Sequence, residues 1–144
     1  MTQQSSSGGR PAGWQKEHMR RYIETNGEDG HIWNGVPTLL LTTIGRKSGH
    51  TFTTPLIYGE SHGQYLVIGS RGGAPEHPQW YQNLAANPDV EVQVLGDRFK
   101  ARARTASDDE KAPLWDLMVS IYPSFAEYQT RTERAIPVVI LERV

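Results

Sequence analysis

Residues 38–70 constrain the fold more tightly than any other part of the chain. TLLLTTI (38–44), TFTTPLIYG (51–59) and QYLVIGS (64–70) are three β-prone runs in quick succession. Their links are too short for a crossover helix, so neighbouring runs must pair antiparallel, as a meander. A second hairpin is written into DVEVQVLGDRFKARARTA (89–106). There Val90, Val92 and Val94 alternate with Glu91 and Gln93, Gly96 and Asp97 make the turn, and Phe99, Ala101 and Ala103 alternate with Arg98, Lys100, Arg102 and Arg104. A β-branched run at 136–141 adds a sixth strand. Six short strands leave exposed edges unless they close. The expected fold is therefore mostly β (α+β): a six-stranded, mainly antiparallel barrel with flanking helices.

The helices punctuate this pattern. Trp14, His18, Met19, Tyr22 and Ile23 fall at helical spacing opposite Lys16, Arg20 and Arg21, and Gly27 ends the run. The leading reading of 14–27 is a surface helix packed by its aromatic face. A movable lid near the pocket mouth, or a helix lying on a membrane surface, is the other. QWYQNLAANP (79–88) is a short helix stopped by Asn87 and Pro88. Ser107 and Glu110 form a capping box for the helix DDEKAPLWDLMVSIY, which Pro123 stops. Residues 1–13, rich in Ser, Gly and Gln, read as a flexible tail, and 14–144 as one domain.

A formal charge of −1 gives no global pull toward nucleic acid. The cations at Arg98, Lys100, Arg102 and Arg104 lack the aromatic pattern of an RNA-binding sheet, and read as a solvated face whose long side chains blunt an edge. No apolar run approaches the roughly 20 residues of a membrane helix, and the N-terminus lacks the apolar segment of a signal peptide. With no cysteine and five scattered histidines, thiolate chemistry is excluded and no metal site is expected. The expected location is cytoplasmic.

The chemistry sits in turns. GRKSG (45–49) is not a phosphate loop of the GxxxxGK[ST] kind, because β-prone segments flank it on both sides. It is a hairpin turn offering backbone N–H groups, the Ser48 hydroxyl and two cations to a phosphate or carboxylate. Alone it reads equally well as a solvated basic turn. GSRGG (69–73) repeats the arrangement after another strand, with Ser70 and Arg71, and HPQWYQNL (77–84) follows at once. Its helix N-terminus favours an anion, while Trp80 and Tyr81 offer flat surface for an aromatic ring. Trp80 and Leu84, four apart, also suit a simple core face.

GRKSG, TPL (54–56), GSRGGAPEHPQWYQNLAANP (69–88), YPSFAEYQ (122–129) and the final IPVVIL run occur in order. In this, the chain resembles the deazaflavin-dependent nitroreductase family from residue 38 to the C-terminus. The resemblance implies a split β-barrel that binds coenzyme F-420, an aromatic ring on a phosphodiester and oligoglutamate tail, and transfers hydride to electron-poor acceptors. Carried over, Arg46, Lys47, Ser48 and Gly49 would grip the tail. Thr54, Pro55 and Leu56 would line the ring edge, with Ile68, Gly69, Ser70 and Arg71 beneath it and Gln79, Trp80 and Asn83 closing the other side. Arg71 stands where many relatives have lysine, exchanging a point charge for a planar fork. Tyr122, Phe125 and Tyr128 would face the acceptor, with Ser70, Tyr122 or Tyr128 as proton or hydrogen-bond donor. Phe125 occupies a position that is tyrosine in some nitroimidazole-reducing relatives. As single residues, these aromatics read equally well as a helix end packing the barrel mouth.

The resulting expectation is a reductase of quinones, activated C=C bonds or nitroaromatics, with the cofactor carrying the hard step. Two alternatives accompany it: an FMN-dependent reductase on the same barrel, and a non-catalytic deazaflavin carrier. FMN ends in a single phosphate and needs fewer cations than Arg46, Lys47 and Arg71 supply. The partner is a small-molecule hydride acceptor. A quinone-like one would also give the aromatic N-terminal helix a purpose at a membrane surface. Both a monomer and a homodimer fit.

Overall fold

A computed structural model describes residues 14–144; the tail read at 1–13 and the side chain of Trp14 lie outside the described residues. In chain order the elements are α1 (Trp14–Glu24), β1 (Ile32–Trp33), β2 (Val36–Ile44), β3 (Thr51–Ser61), β4 (Gln64–Ile68) and α2 (Gln79–Ala86). They are followed by β5 (Asp89–Val94), β6 (Asp97–Thr105), α3 (Asp108–Ile121), α4 (Ser124–Thr130) and β7 (Val138–Arg143).

The sheet runs β1-β2-β3-β4-β7-β6-β5, and β2 also pairs with β5 through Leu40↔Gln93, Leu41↔Val92 and Thr42↔Glu91. That last ladder closes strands β2 to β7 into the six-stranded antiparallel barrel. Closure leaves β6 paired on both sides, to β5 and to β7. The expectation that its cations blunt an edge is thereby corrected, because there is no edge there. They line an outer face instead, where Arg102 meets Asp89 at 3.5 Å and Arg104 meets Glu110 at 2.7 Å and Glu142 at 3.3 Å.

Strands β4 and β7 are buried on both faces, which explains their unbroken apolar sequences. Val67, Val139 and Leu141 join the barrel interior with Leu39, Leu41 and Val92. The alternate residues Leu66, Ile68, Val138 and Ile140 point outward and pack beneath Met118 of α3 and Phe125 of α4. The capping box of α3 forms as its sequence prescribes: Ser107 Oγ accepts from Glu110 N at 3.4 Å, and Glu110 Oε1 accepts from Ser107 N at 3.0 Å.

Helix α1 is anchored in the core by Tyr22, whose side chain is fully buried. Its hydroxyl donates to Thr38 O at 3.0 Å and accepts from Leu95 N at 2.7 Å. Ile23, read as part of the packed face, is 45% exposed. The Leu95 bond also corrects the second hairpin: its turn is Leu95 and Gly96, with Leu95 at φ 56°, and Asp97 already pairs with Val94. The last strand begins at Val138 rather than residue 136, because Pro137 lacks a ladder donor. Among the described residues, no helix is long and apolar enough to cross a membrane.

Candidate active site

The connection 45–50 closes on itself. Gly45 N donates to His50 O at 2.7 Å, and Gly49 N donates to Gly45 O at 2.9 Å. His50 N donates to Ser48 Oγ at 3.1 Å. A Cβ on Gly45 would lie 2.6 Å from the Phe52 ring and 2.9 Å from Ser48 Oγ, so the turn has no room for one.

Arg46 folds back onto α2. Its Nη2 donates to Gln79 Oε1 at 2.9 Å, while its Nη1 donates at 2.8 Å and its backbone N at 3.2 Å to Asn83 Oδ1. Asn83 is buried, and its Nδ2 donates to Thr43 Oγ1 at 3.3 Å. Both ends of the Asn83 amide are thus engaged with protein, and it acts as a support for Arg46. Lys47 and Ser48 are exposed, and among the described residues Lys47 makes no salt bridge.

Two cavities adjoin at this turn. One, of about 400 Å³, is lined by Arg46, Lys47, Ser48, Phe52, Gln79 and Trp80, among others. The other, of about 520 Å³, is walled by Pro55, Leu56, Ile68, Ser70, Arg71, Tyr122, Phe125 and Tyr128. Thr54, Gln79 and Trp80 line both, so the two form one groove with a cationic end and an aromatic end. Most of the residues read from the sequence meet here. Gly49 and Gly69 do not line it. Gly49 supplies φ 77° to the turn, and Gly69 N bonds Pro137 O at 3.0 Å behind the wall.

At the aromatic end, Phe125 is buried edge-to-face against Tyr122 and Tyr128, at centroid distances of 5.0 and 6.3 Å. The two tyrosine hydroxyls are 3.4 Å apart. Phe125 and Tyr128 ride on α4, a separate helix that no sequence signal marks beyond the stop at Pro123, while Tyr122 caps the end of α3. α4 packs onto the loop at Gly73, where φ is 84° and a Cβ would meet Tyr128 O at 2.6 Å. Arg71 is roughly half-exposed, lies 4.0 Å from Glu76 and adopts φ 45°, a left-handed conformation uncommon for a side-chain-bearing residue. His18, on the helix face that one reading placed near the pocket mouth, lines this end with Gln15 and Trp33, which the sequence did not single out. Only the placement of α1 and β1 over the barrel brings them there, and no motif announces it.

The groove holds few acid–base groups, a cationic end and flat apolar walls, which suits an enzyme whose bound redox cofactor carries the chemistry. Fold and groove together define a cofactor-dependent oxidoreductase of the split-barrel class. The sequence model of the F420H(2)-dependent quinone reductases matches residues 14–143. An F420H(2)-dependent quinone reductase of Mycobacterium tuberculosis is 42% identical over 130 residues, 88% of this chain and 87% of that one. A solved structure of an F420-H2 dependent reductase (FDR-A) is 45% identical, with a TM-score of 0.69 over 74% of this chain and 94% of that one. A second solved structure, described only as a domain-swapped dimer, is 41% identical, with a TM-score of 0.71 over 92% of this chain and all of that one. The chain belongs to the F420H(2)-dependent quinone reductase family and is an F420-dependent reductase. The alternative of FMN finds no support in these relatives.

Proposed function

We propose that the groove binds reduced coenzyme F-420 with its polyanionic tail at the Arg46–Lys47–Ser48 turn and its ring between Trp80 and the segment around Ile68 and Ser70. A quinone-type acceptor then occupies the end bounded by Tyr122, Phe125 and Tyr128. The observation that carries this reading is the continuity of the two cavities across Thr54, Gln79 and Trp80. It matches a ligand that is anionic at one end and planar at the other.

Bound there, the cofactor supplies a hydride. The chain's own residues do the rest. Arg46, held in place by Gln79 and Asn83, presents the remainder of its guanidinium fork together with the Lys47 ammonium to phosphate and carboxylate oxygens. Trp80, Pro55, Leu56 and Ile68 exclude water and fix the plane in which donor and acceptor stack. As the acceptor gains negative charge, Ser70 and the Tyr122–Tyr128 pair supply hydrogen-bond donors, and either tyrosine can deliver the proton that completes the reduction.

The test is a fluorescence titration of coenzyme F-420 into the parent and the Arg46→Ala/Lys47→Ala double variant, alongside single-turnover oxidation of the reduced cofactor by menadione. The expected result is loss of binding in the double variant and acceptor-accelerated oxidation in the parent. Equal affinity of the two proteins would overturn the assignment of the tail. Oxidation no faster than that of the free cofactor would remove the quinone-type acceptor from the reading.

A further inference from the structure

The loop 69–74, whose Ser70, Arg71 and Gly72 line the cavity, is held from behind chiefly by Arg134, with Arg131 Nη1 donating to Gly72 O at 3.5 Å. Arg134 Nε donates to Ala74 O at 2.9 Å, Nη1 to Gly69 O at 3.1 Å and Nη2 to Ser70 O at 2.8 Å. Nη1 also reaches His77 Nδ1 at 3.0 Å. One guanidinium therefore ties three carbonyls of the loop to the imidazole just before α2. Arginine has no acceptor, so His77 Nδ1 must accept, which leaves the imidazole neutral with its proton on Nε2.

The clamp fixes more than position. Peptide planes 69–70 and 70–71 turn their carbonyls onto Arg134, so planarity directs the amides of Ser70 and Arg71 away from it. Arg71 immediately follows at φ 45°, a conformation that costs energy and persists only where its surroundings enforce it. Ser70 and Arg71 both line the aromatic cavity.

We propose that Arg134 is a positioning residue for hydride transfer, fixing residues 69–74 against the ring, with His77 as its proton-sensitive partner. The inference rests on the ring placement given above. Arg134 lines neither cavity and acts only through the loop.

Protonation of His77 would remove the Nδ1 acceptor and set an imidazolium against the guanidinium. The imidazole contacts Arg134 and the Tyr81 ring, 4.7 Å away, and its chain neighbour Glu76 pairs with Arg71 at 4.0 Å. Burial, and then the Arg134 charge, hold His77 below the ordinary histidine value. The clamp is therefore intact at neutral pH and opens on the acid side of that ordinary value.

The experiment uses the full chain as parent, Arg134→Lys, Arg134→Gln and His77→Asn. It measures the Kd of coenzyme F-420 by fluorescence, kcat and KM with menadione across pH, and the His77 titration by NMR. Both Arg134 variants should lose kcat by about 10²-fold, the scale of a small misplacement, with Kd retained because the tail turn is untouched. In Arg134→Gln the His77 pKa should rise, and in His77→Asn the acid limb of the kcat profile should vanish. Parental kcat in both Arg134 variants, or an unmoved His77 pKa in Arg134→Gln, overturns the proposal. If Arg134→Gln does not fold, an acid limb that persists in His77→Asn overturns it instead. If the parent does not bind the deazaflavin, the cofactor reading fails, while the His77 titration still decides the clamp.

Discussion

Arg46 and Asn83 share one oxygen: both the guanidinium Nη1 and the backbone N of Arg46 donate to Asn83 Oδ1, at 2.8 and 3.2 Å. The 45–50 turn, where we place the anionic tail, is thereby tied to helix α2. Asn83→Ala removes the acceptor and should destabilise the fold by about 1–3 kcal/mol, the cost of a buried charge-assisted bond lost. Asn83→Asp should fold, since it keeps the acceptor, but places a carboxylate beside the proposed tail site. Cofactor affinity should then fall by at least about tenfold, or 1.4 kcal/mol. Urea unfolding and a cofactor titration on the two variants check both expectations. An Asn83→Asp protein with parental affinity would separate Arg46 from tail binding.

Tyr22 fastens α1 to the barrel through its hydroxyl, which accepts from Leu95 N and donates to Thr38 O. Tyr22→Phe keeps the ring but strands the Leu95 amide. We expect a loss of about 1–3 kcal/mol and faster hydrogen exchange at Leu95. Unchanged exchange there would mean that α1 is held by its apolar contacts alone.

Tyr122 and Tyr128 place their hydroxyls 3.4 Å apart at the aromatic end of the groove. If one donates a proton and the other orients it, each Phe substitution should lower kcat, by about 10²-fold for the donor. The double variant should fall little below the worse single, as expected for groups that act as a unit. Parental kcat in both single variants would leave Ser70 as the donor.

The capping carboxylate of α3 makes stability depend on acidity. The hydrogen bond from Arg104, followed by that from the Ser107 backbone, holds Glu110 down at about 2. Its folded value lies below the ordinary one, so its contribution is present above about 4.5 and fades as pH falls toward 2. Glu110→Gln should melt lower than the parent at neutral pH, with the gap closing by about pH 2. Thermal melts across that range decide it, and a gap independent of pH would assign the effect to packing.

Alternation along the strands was plain in the sequence because a barrel wall imposes it: Val90, Val92 and Val94 face inward as written. The capping box of α3 was equally legible, since Ser107 and Glu110 meet within one helical turn. Elements shaped by distant contacts were not. The turn at Leu95 and Gly96 is shifted by one residue, with Leu95 bonded to Tyr22, 73 positions away. The two-residue β1 is too short to carry a period, and α4 is a short helix held against the loop at Gly73.

The residue order by itself determined which neighbouring segments pair, which turns carry cations and which side chains are apolar, because these follow from local geometry and solvation. It also carried the family resemblance through GRKSG and GSRGG. Tertiary structure alone decided that Arg46 would lean on Asn83, 37 positions on, and that Arg134 would brace Gly69, 65 positions back. Local rules act over a few residues. Closing the barrel brings distant segments within hydrogen-bond reach, and only then does a surface arginine become the brace of a cavity wall.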